Sequence, residues 1–346
     1  MNEPSPRPPR RKRYPGSNPR RFEQKYKEHD PLRFAPTVAR VLASGKTPAG
    51  SHVPVLVDEC LNALALVPGM TGVDATLGYG GHALGILQQI SPGGTLIGLD
   101  LDPIELPKTQ QRLHLAGFTT ACFEAHHSNY AGIRKVLDRR GLAAVDFIFA
   151  DLGCSSMQFD NPARGFSFKH AGPLDMRMNP QRGLSAADWL ARVSRDKLAA
   201  ALANHADEPR AESLADALAG RSFPDTLALA TAIRNSVRTD IDEAELTVRR
   251  VFQAIRIAVN EEFTALEAFL RVLPACLNPG GRVAVLAFHS GEDRRVKKSL
   301  QAGLRSGLYS AISEGVLTPG PAELRLNPRS SAAKLRWAVR ASDGQP

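Results

Sequence analysis

Apolar residues follow two different rhythms along this chain, and the change between them organises it. From Val53 short apolar runs alternate with amphipathic stretches, as expected of strands and helices in an α/β domain. Thr71-Gly-Val-Asp-Ala-Thr leads into a glycine turn at Gly78–Gly81, and the residues after it keep helical spacing up to the break at Ser91-Pro-Gly-Gly. Thr95–Asp100 predicts a second strand, Lys108–Ala116 a helix and Thr119–Phe123 a short third strand. Val145–Asp151 is almost continuously apolar, the pattern of a strand in a parallel sheet covered on both faces. After Asp151 the alternation stops: a Gly/Pro-rich loop runs to Gly183, then Ala/Leu-rich helices continue through Gly220. Helical spacing over Leu246–Leu273 ends at Pro274, a fifth strand is expected over Arg282–Phe288, and Lys334–Arg340 alternates as a late strand that closes a sheet edge. The expected organisation is a tail over 1–50, a first core segment over 51–160, an inserted helical domain over 161–250 and a second core segment over 251–346.

Composition changes this picture at one end. The 346 residues carry a formal charge of +9, and residues 1–50 hold twelve Lys/Arg against four Asp/Glu together with nine of the 25 prolines. Such a segment is too Pro-rich for helix and too polar to collapse, so it is expected to be disordered, and its clustered cations favour a polyanionic partner. No stretch approaches the ~20 apolar residues needed to span a bilayer. The four cysteines are widely separated and form no CxxC pair, unlike a zinc site or a disulfide framework; a reducing cytoplasm and no metal are expected.

A glycine turn between a buried strand and a helix lets backbone N–H groups approach a ligand closely. Asp74-Ala-Thr-Leu-Gly78-Tyr-Gly80-Gly81-His82 occupies that place, and Asp100 ends the next strand 26 residues after Asp74, near the spacing of a ribose-binding acid. On these residues alone a nicotinamide dinucleotide and S-adenosylmethionine both remain open. A dinucleotide brings a pyrophosphate to the helix, whereas the amino-acid part of S-adenosylmethionine needs a carboxylate for its ammonium, a part Asp74 can play. Asp151 ends the fourth strand, where open α/β sheets place their binding crevice.

The runs His52-Val-Pro-Val-Leu, Asp74-x-Thr-x-Gly-x-Gly-Gly-His82, Asp100-x-Asp-Pro103, Asp151-Leu-Gly-x-Ser-Ser, Gly172-Pro-Leu-Asp-Met-Arg-Met and Phe288-His-Ser-x-Glu-Asp-Arg closely resemble the RsmH (MraW) family. The resemblance implies a class I S-adenosylmethionine-dependent methyltransferase (Rossmann-like) sheet with an inserted α-helical domain. It also implies methylation of N4 of the decoding-site cytidine, C1402 in standard rRNA numbering, of 16S rRNA in the 30S subunit. Carried over by motif position, Gly80, Gly81 and His82 lie against the donor, Asp100 holds its ribose, and Asp151 and Gln158 complete the pocket. His127 stands where the family usually has an aromatic residue.

The N4 amine of cytosine is a poor nucleophile, because its lone pair is delocalised into the ring, and the sulfonium methyl is already activated. Positioning is therefore most of the task. Asp151, Ser155 and Ser156 are the candidate acceptors for an N4–H, and His289 is a candidate to orient the base. Arg164, Arg177 and Arg182 suit RNA phosphates, and Phe166 and Trp189 suit stacking on an unstacked cytosine. Cys154 invites a second reading, attack on C6 of a pyrimidine, which needs a thiol of lowered pKa. A dehydrogenase and a non-catalytic RNA-binding assembly factor are the competing functions.

Overall fold

The computed structural model describes residues 54–342, so the basic tail, with the expectation of disorder attached to it, lies outside the described residues. The described chain opens with α1 (Val57–Leu64), then β1 (Thr71–Asp74), α2 (Gly81–Ile90), β2 (Thr95–Asp100), α3 (Leu106–Leu115), β3 (Phe123–His127), α4 (Ile133–Arg139) and β4 (Val145–Asp151). A helical stretch follows: α5 (Ser156–Asp160), α6 (Ala186–Arg192), α7 (Arg195–Ala206), α8 (Ala211–Leu218), α9 (Thr226–Ser236), α10 (Ile241–Asn260) and α11 (Glu262–Cys276). The sheet resumes with β5 (Leu277–Ala287), α12 (Ser290–Arg305), β6 (Tyr309–Ile312), α13 (Pro321–Leu326) and β7 (Lys334–Arg340).

The seven strands are ordered β3-β2-β1-β4-β5-β7-β6. β1 to β5 pair in parallel and β7 is antiparallel to both its neighbours. This is a Rossmann-like sheet, in keeping with the expected fold class. Chain order reverses on either side of β1, so the crevice at the carboxyl ends of β1 and β4 is the topological switch point where such sheets bind ligands. One apolar cluster, with Val73, Ile148, Phe269 and Val285, covers one face of the sheet; another, with Ile86, Leu96, Phe147 and Phe149, covers the other. The helical stretch builds a third cluster of its own from residues such as Leu190, Leu202, Leu214, Leu229 and Val248.

Three expectations are corrected. The third strand is Phe123–His127, not Thr119–Phe123: it is an edge strand in which only Phe123 is buried, so its Glu and His positions hide it from a search for apolar runs. The helical spacing over Leu246–Leu273 belongs to two helices, broken where Glu261 takes a left-handed φ of 51°, and the second does not end at Pro274 but continues to Cys276. The late strand lies at Lys334–Arg340 as expected but is interior, inserted between β5 and β6; the edge belongs to the short Tyr309–Ile312 strand, which the alternation pattern did not reveal.

Candidate active site

Parallel pairing brings three acids side by side. Asp74, Asp100 and Asp151 end the adjacent strands β1, β2 and β4, so three carboxylates converge on one end of the sheet. The turn that leaves β1 runs between them. Gly80 caps α2 with φ 80°, and a Cβ there would stand 2.9 Å from the Thr109 methyl; a Cβ at Gly81 would stand 2.3 Å from Pro54. Only glycine fits both the conformation and the space. The turn is braced from α3: the Thr109 hydroxyl donates to Gly78 O at 2.6 Å, and the Arg112 guanidinium stacks over the Tyr79 ring at 3.3 Å.

Burial raises the carboxyl of each acid above its ordinary value. Asp100 accepts the Gly78 N–H at 2.6 Å and the Asp102 N–H at 2.7 Å; burial lifts it to about 6 even so. Asp74 is 1% exposed, and burial raises its carboxyl to about 7, opposed by the N–H of Thr76 and reinforced by Asp100. Burial, then the charges of Asp74 and Glu292, push Asp151 well above the ordinary carboxylate range. Three desolvated acids at one place create a demand for positive charge. His82 packs at a tilt against Phe149, with ring centroids 4.7 Å apart, and burial pulls its imidazole down to about 4, opposed by its bond to Val55 O.

The other expected donor-site residues have further attachments. His127 is exposed at the end of β3, with Nε2 3.0 Å from Leu101 O and 3.3 Å from the Asn179 amide. Gln158 is buried and fully engaged, its Oε1 accepting the Ser155 N–H at 3.0 Å and its Nε2 donating to Asp102 at 2.9 Å. Ser155 in turn accepts the Gln158 N–H, so the two form the capping box of α5. Ser155 is thus occupied as a helix cap; Ser156, half-buried, is the first residue of that helix.

Of the residues expected to meet RNA, Arg164 is placed elsewhere. It is buried, donates to Asp102 at 2.7 Å and to the carbonyls of Arg177 and Met178, and so spends its donors inside the protein. Phe166 is 4% exposed and belongs to the core of the helical stretch. Arg177 pairs with Asp175 through two bonds of 2.8 and 2.7 Å, while Arg182 is exposed. Trp189 is half-buried and lines a cleft of about 320 Å³ with Lys197, His205 and Phe263. His289 caps α12, with Nδ1 accepting the Glu292 N–H at 3.4 Å and Nε2 3.2 Å from Glu292 Oε1. It serves the helix start rather than an open base site.

Several residues of consequence were not singled out from the sequence. Asp102 stands in the Asp100-x-Asp motif, and its second acid carried no assigned role; it anchors Gln158 and Arg164 together. Asn260 accepts the Met178 N–H at 2.7 Å and donates to Met176 O at 2.8 Å, holding buried Met176 in its left-handed φ of 59°. Behind Cys154, Arg256 makes two bonds to Glu262, at 2.8 and 2.9 Å. Burial pushes the Cys154 thiol up to about 12 although Arg256 pulls it down, which removes the thiolate a C6 attack requires. Among the described residues no group of three or more His, Cys, Asp or Glu is arranged to hold a metal ion, and no helix is long and apolar enough to cross a membrane.

Known proteins resemble the chain over most of its length. The chain is 45% identical over 342 residues to ribosomal RNA small subunit methyltransferase H 2 of Alkaliphilus metalliredigens, covering 96% of this chain and 97% of that one. It is 44% identical over 343 residues to ribosomal RNA small subunit methyltransferase H 1 of Lachnoclostridium phytofermentans, covering 96% and 93%. Ribosomal RNA small subunit methyltransferase H of Methylibium petroleiphilum is 38% identical over 311 residues, covering 85% and 96%. The model of the MraW methylase family matches residues 49–341, and with these relatives it establishes that the chain belongs to the MraW methylase family.

Proposed function

We infer that this chain transfers a methyl group from S-adenosylmethionine to N4 of the decoding-site cytidine of 16S rRNA, acting in the cytoplasm on the 30S particle. The observation that carries the reading is the convergence of Asp74, Asp100 and Asp151 on a glycine turn at the switch point of the sheet. The donor set fits the methyl donor. S-adenosylmethionine has a sulfonium and an ammonium, which the desolvated carboxylates attract, and a ribose whose hydroxyls suit Asp100. A pyrophosphate would meet those acids as a like charge, which disfavours the nicotinamide alternative.

In this reading Asp74, Gly80, Gly81 and His82 hold the amino-acid end, Asp100 the sugar and His127 the base, and the bound donor supplies an activated methyl group. Asp151 faces the crevice with a side chain 30% exposed and accepts an N4–H, so the amine lone pair points at the methyl carbon. Ser156, beside it, offers a second polar contact. Arg177, Arg182 and Trp189 lie on the loop and helix that follow β4 and receive the RNA. The cytidine leaves its stack to reach the crevice, at a cost of about a few kcal/mol that contacts to the flipped base must offset.

The test is methyl transfer from labelled S-adenosylmethionine to 30S particles that lack the modification, with the nucleotide mapped by mass spectrometry. Methyl on N4 of the decoding-site cytidine supports the reading. Donor binding without methylation of any particle supports the assembly factor instead. Asp100→Ala is expected to weaken donor binding about 100-fold by calorimetry, the scale of two lost charge-assisted hydrogen bonds.

A further inference from the structure

One pair of groups in the crevice has hydrogen-bonding needs that only a shared proton satisfies. Nε2 of His82 lies 2.9 Å from the carbonyl oxygen of Val55, a group that can only accept, so this nitrogen carries the ring hydrogen. Nδ1 is left with its lone pair, and it faces Oδ2 of Asp151 at 3.5 Å. Two acceptors repel; a proton on either one turns the contact into a hydrogen bond. The imidazole is sealed, with a side chain 8% exposed and packed on Phe149, whereas the Asp151 side chain opens onto the crevice. One end of the pair is thus fixed by the fold and the other can reach substrate.

We propose that Asp151 and His82 form a one-proton relay that takes up the proton leaving the methylated amine. The inference rests on the methyl-transfer reading and assigns a group to the step that reading leaves open. The N4 lone pair forms the bond to the methyl carbon while the carbon–sulfur bond breaks, its electron pair staying on sulfur as a thioether. The nitrogen, now cationic, loses its N–H proton to Asp151, which shares it with Nδ1 of His82. The proton leaves to water by the open face of Asp151 when the product departs. The separation of 3.5 Å is longer than a working hydrogen bond, and catalytic contacts of this length tighten in the substrate complex.

The titratable groups that face the pair are Asp74 at the end of β1, Cys60 on α1 and Glu292 on α12, all of them acids. Burial disfavours a charged His82 and an ionised Asp151 alike, which favours one shared proton in the free protein; the positive charge of a bound donor would favour release of that proton, and the ionised Asp151 then has the vacant position that the amine proton fills. His82 is a positioning and relay residue here, with Asp151 the group that touches substrate.

Nitrogen-15 NMR of wild-type protein labelled at histidine tests the pair without catalysis. The His82 ring, assigned through its contacts with Phe149, is expected to hold the Nε2–H tautomer with Nδ1 accepting a hydrogen bond, from roughly pH 5 to 8. A hydrogen on Nδ1 with a bare Nε2, or titration at the ordinary histidine value, overturns the proposal. In His82→Gln the amide can still donate to Val55 O. Because His82 also borders the donor's amino-acid end, kcat is read at saturating donor. There kcat should fall about tenfold or more at unchanged KM for RNA, with the acid limb of the pH–rate profile displaced. An unaltered kcat and profile in a variant that binds donor also overturns it. Should the wild type methylate no RNA, the methyl-transfer reading fails, and the tautomer still decides whether the pair shares a proton.

Discussion

Asp100 and Asp102 are two residues apart, yet they stand in regions that settle the same electrostatic problem in opposite ways. Asp102 belongs to the seam between the sheet and the helical stretch, where its carboxylate accepts Arg164, Gln158 and the N–H groups of Ile104 and Glu105. Asp100 belongs to the crevice, where backbone N–H groups alone oppose its desolvation and its carboxyl is lifted to about 6. The seam is electrostatically complete within the protein. The crevice is complete only when a cation arrives, and that unmet demand is what marks it as the binding site. The same contrast separates Arg164, spent on Asp102, from exposed Arg182 on the same Gly/Pro-rich loop.

The largest effect is expected from breaking the complete side. Arg164→Ala leaves Asp102, whose side chain is 2% exposed, as an unpaired buried charge. The expected loss is about 3–5 kcal/mol, which calorimetric melting should record as a fall in Tm on the order of 10 °C. The double change Arg164→Met with Asp102→Asn should recover much of it. If Arg164→Ala instead melts like the wild type and weakens only RNA binding, the assignment of Arg164 to the seam is wrong.

Asp74 sharpens the incomplete side. Its carboxyl is raised from 3.8 to about 7, so the folded state holds a proton that the unfolded state releases earlier. Stability from this group is therefore full below about pH 4 and is lost as pH rises through about 7, by a few kcal/mol at most. His82 works in the opposite sense between about 6.5 and 4, because its folded form is the neutral one. Asp74→Asn should accordingly raise Tm at pH 8, change it little at pH 4, and weaken the donor. A Tm difference independent of pH would show that Asp74 is ionised in the free protein.

The smallest expected effect lies at the rim of the helical stretch. Trp189→Ala should raise KM for the RNA about tenfold, the scale of one lost base–aromatic stack, while donor affinity stays unchanged. An equal loss of donor affinity would mean that Trp189 acts by packing, as Phe166 does.

The parallel sheet and its crevice could be read before folding because their signals are local. Val145–Asp151 is apolar because both faces are covered, and the Gly80–Gly81 turn needs residues without a Cβ beside Thr109 and Pro54. Strand-end acids follow from the same reasoning, and the family motifs located Gly80, Gly81, His82 and Asp100. What failed was whatever lacks a local signal: an edge strand written with His and Glu, and a helix break at a glutamate rather than a glycine or proline. Aromatic side chains on the Gly/Pro-rich loop were equally ambiguous, since Phe166 reads alike as a stacking platform or as core.

By itself the sequence determined the alternation of strand and helix, the glycine turn, and which acids end which strands. These depend on residue type, on periodicity and on neighbours a few positions away. Only the tertiary structure decided which acids are already paired, because Arg164 meets Asp102 across 62 residues of chain and Asn260 meets Met178 across 82. It alone put the bare nitrogen of His82 opposite Asp151. A partner set by through-space packing leaves no periodic trace in the chain, and whether a charge is satisfied or waiting depends on that partner.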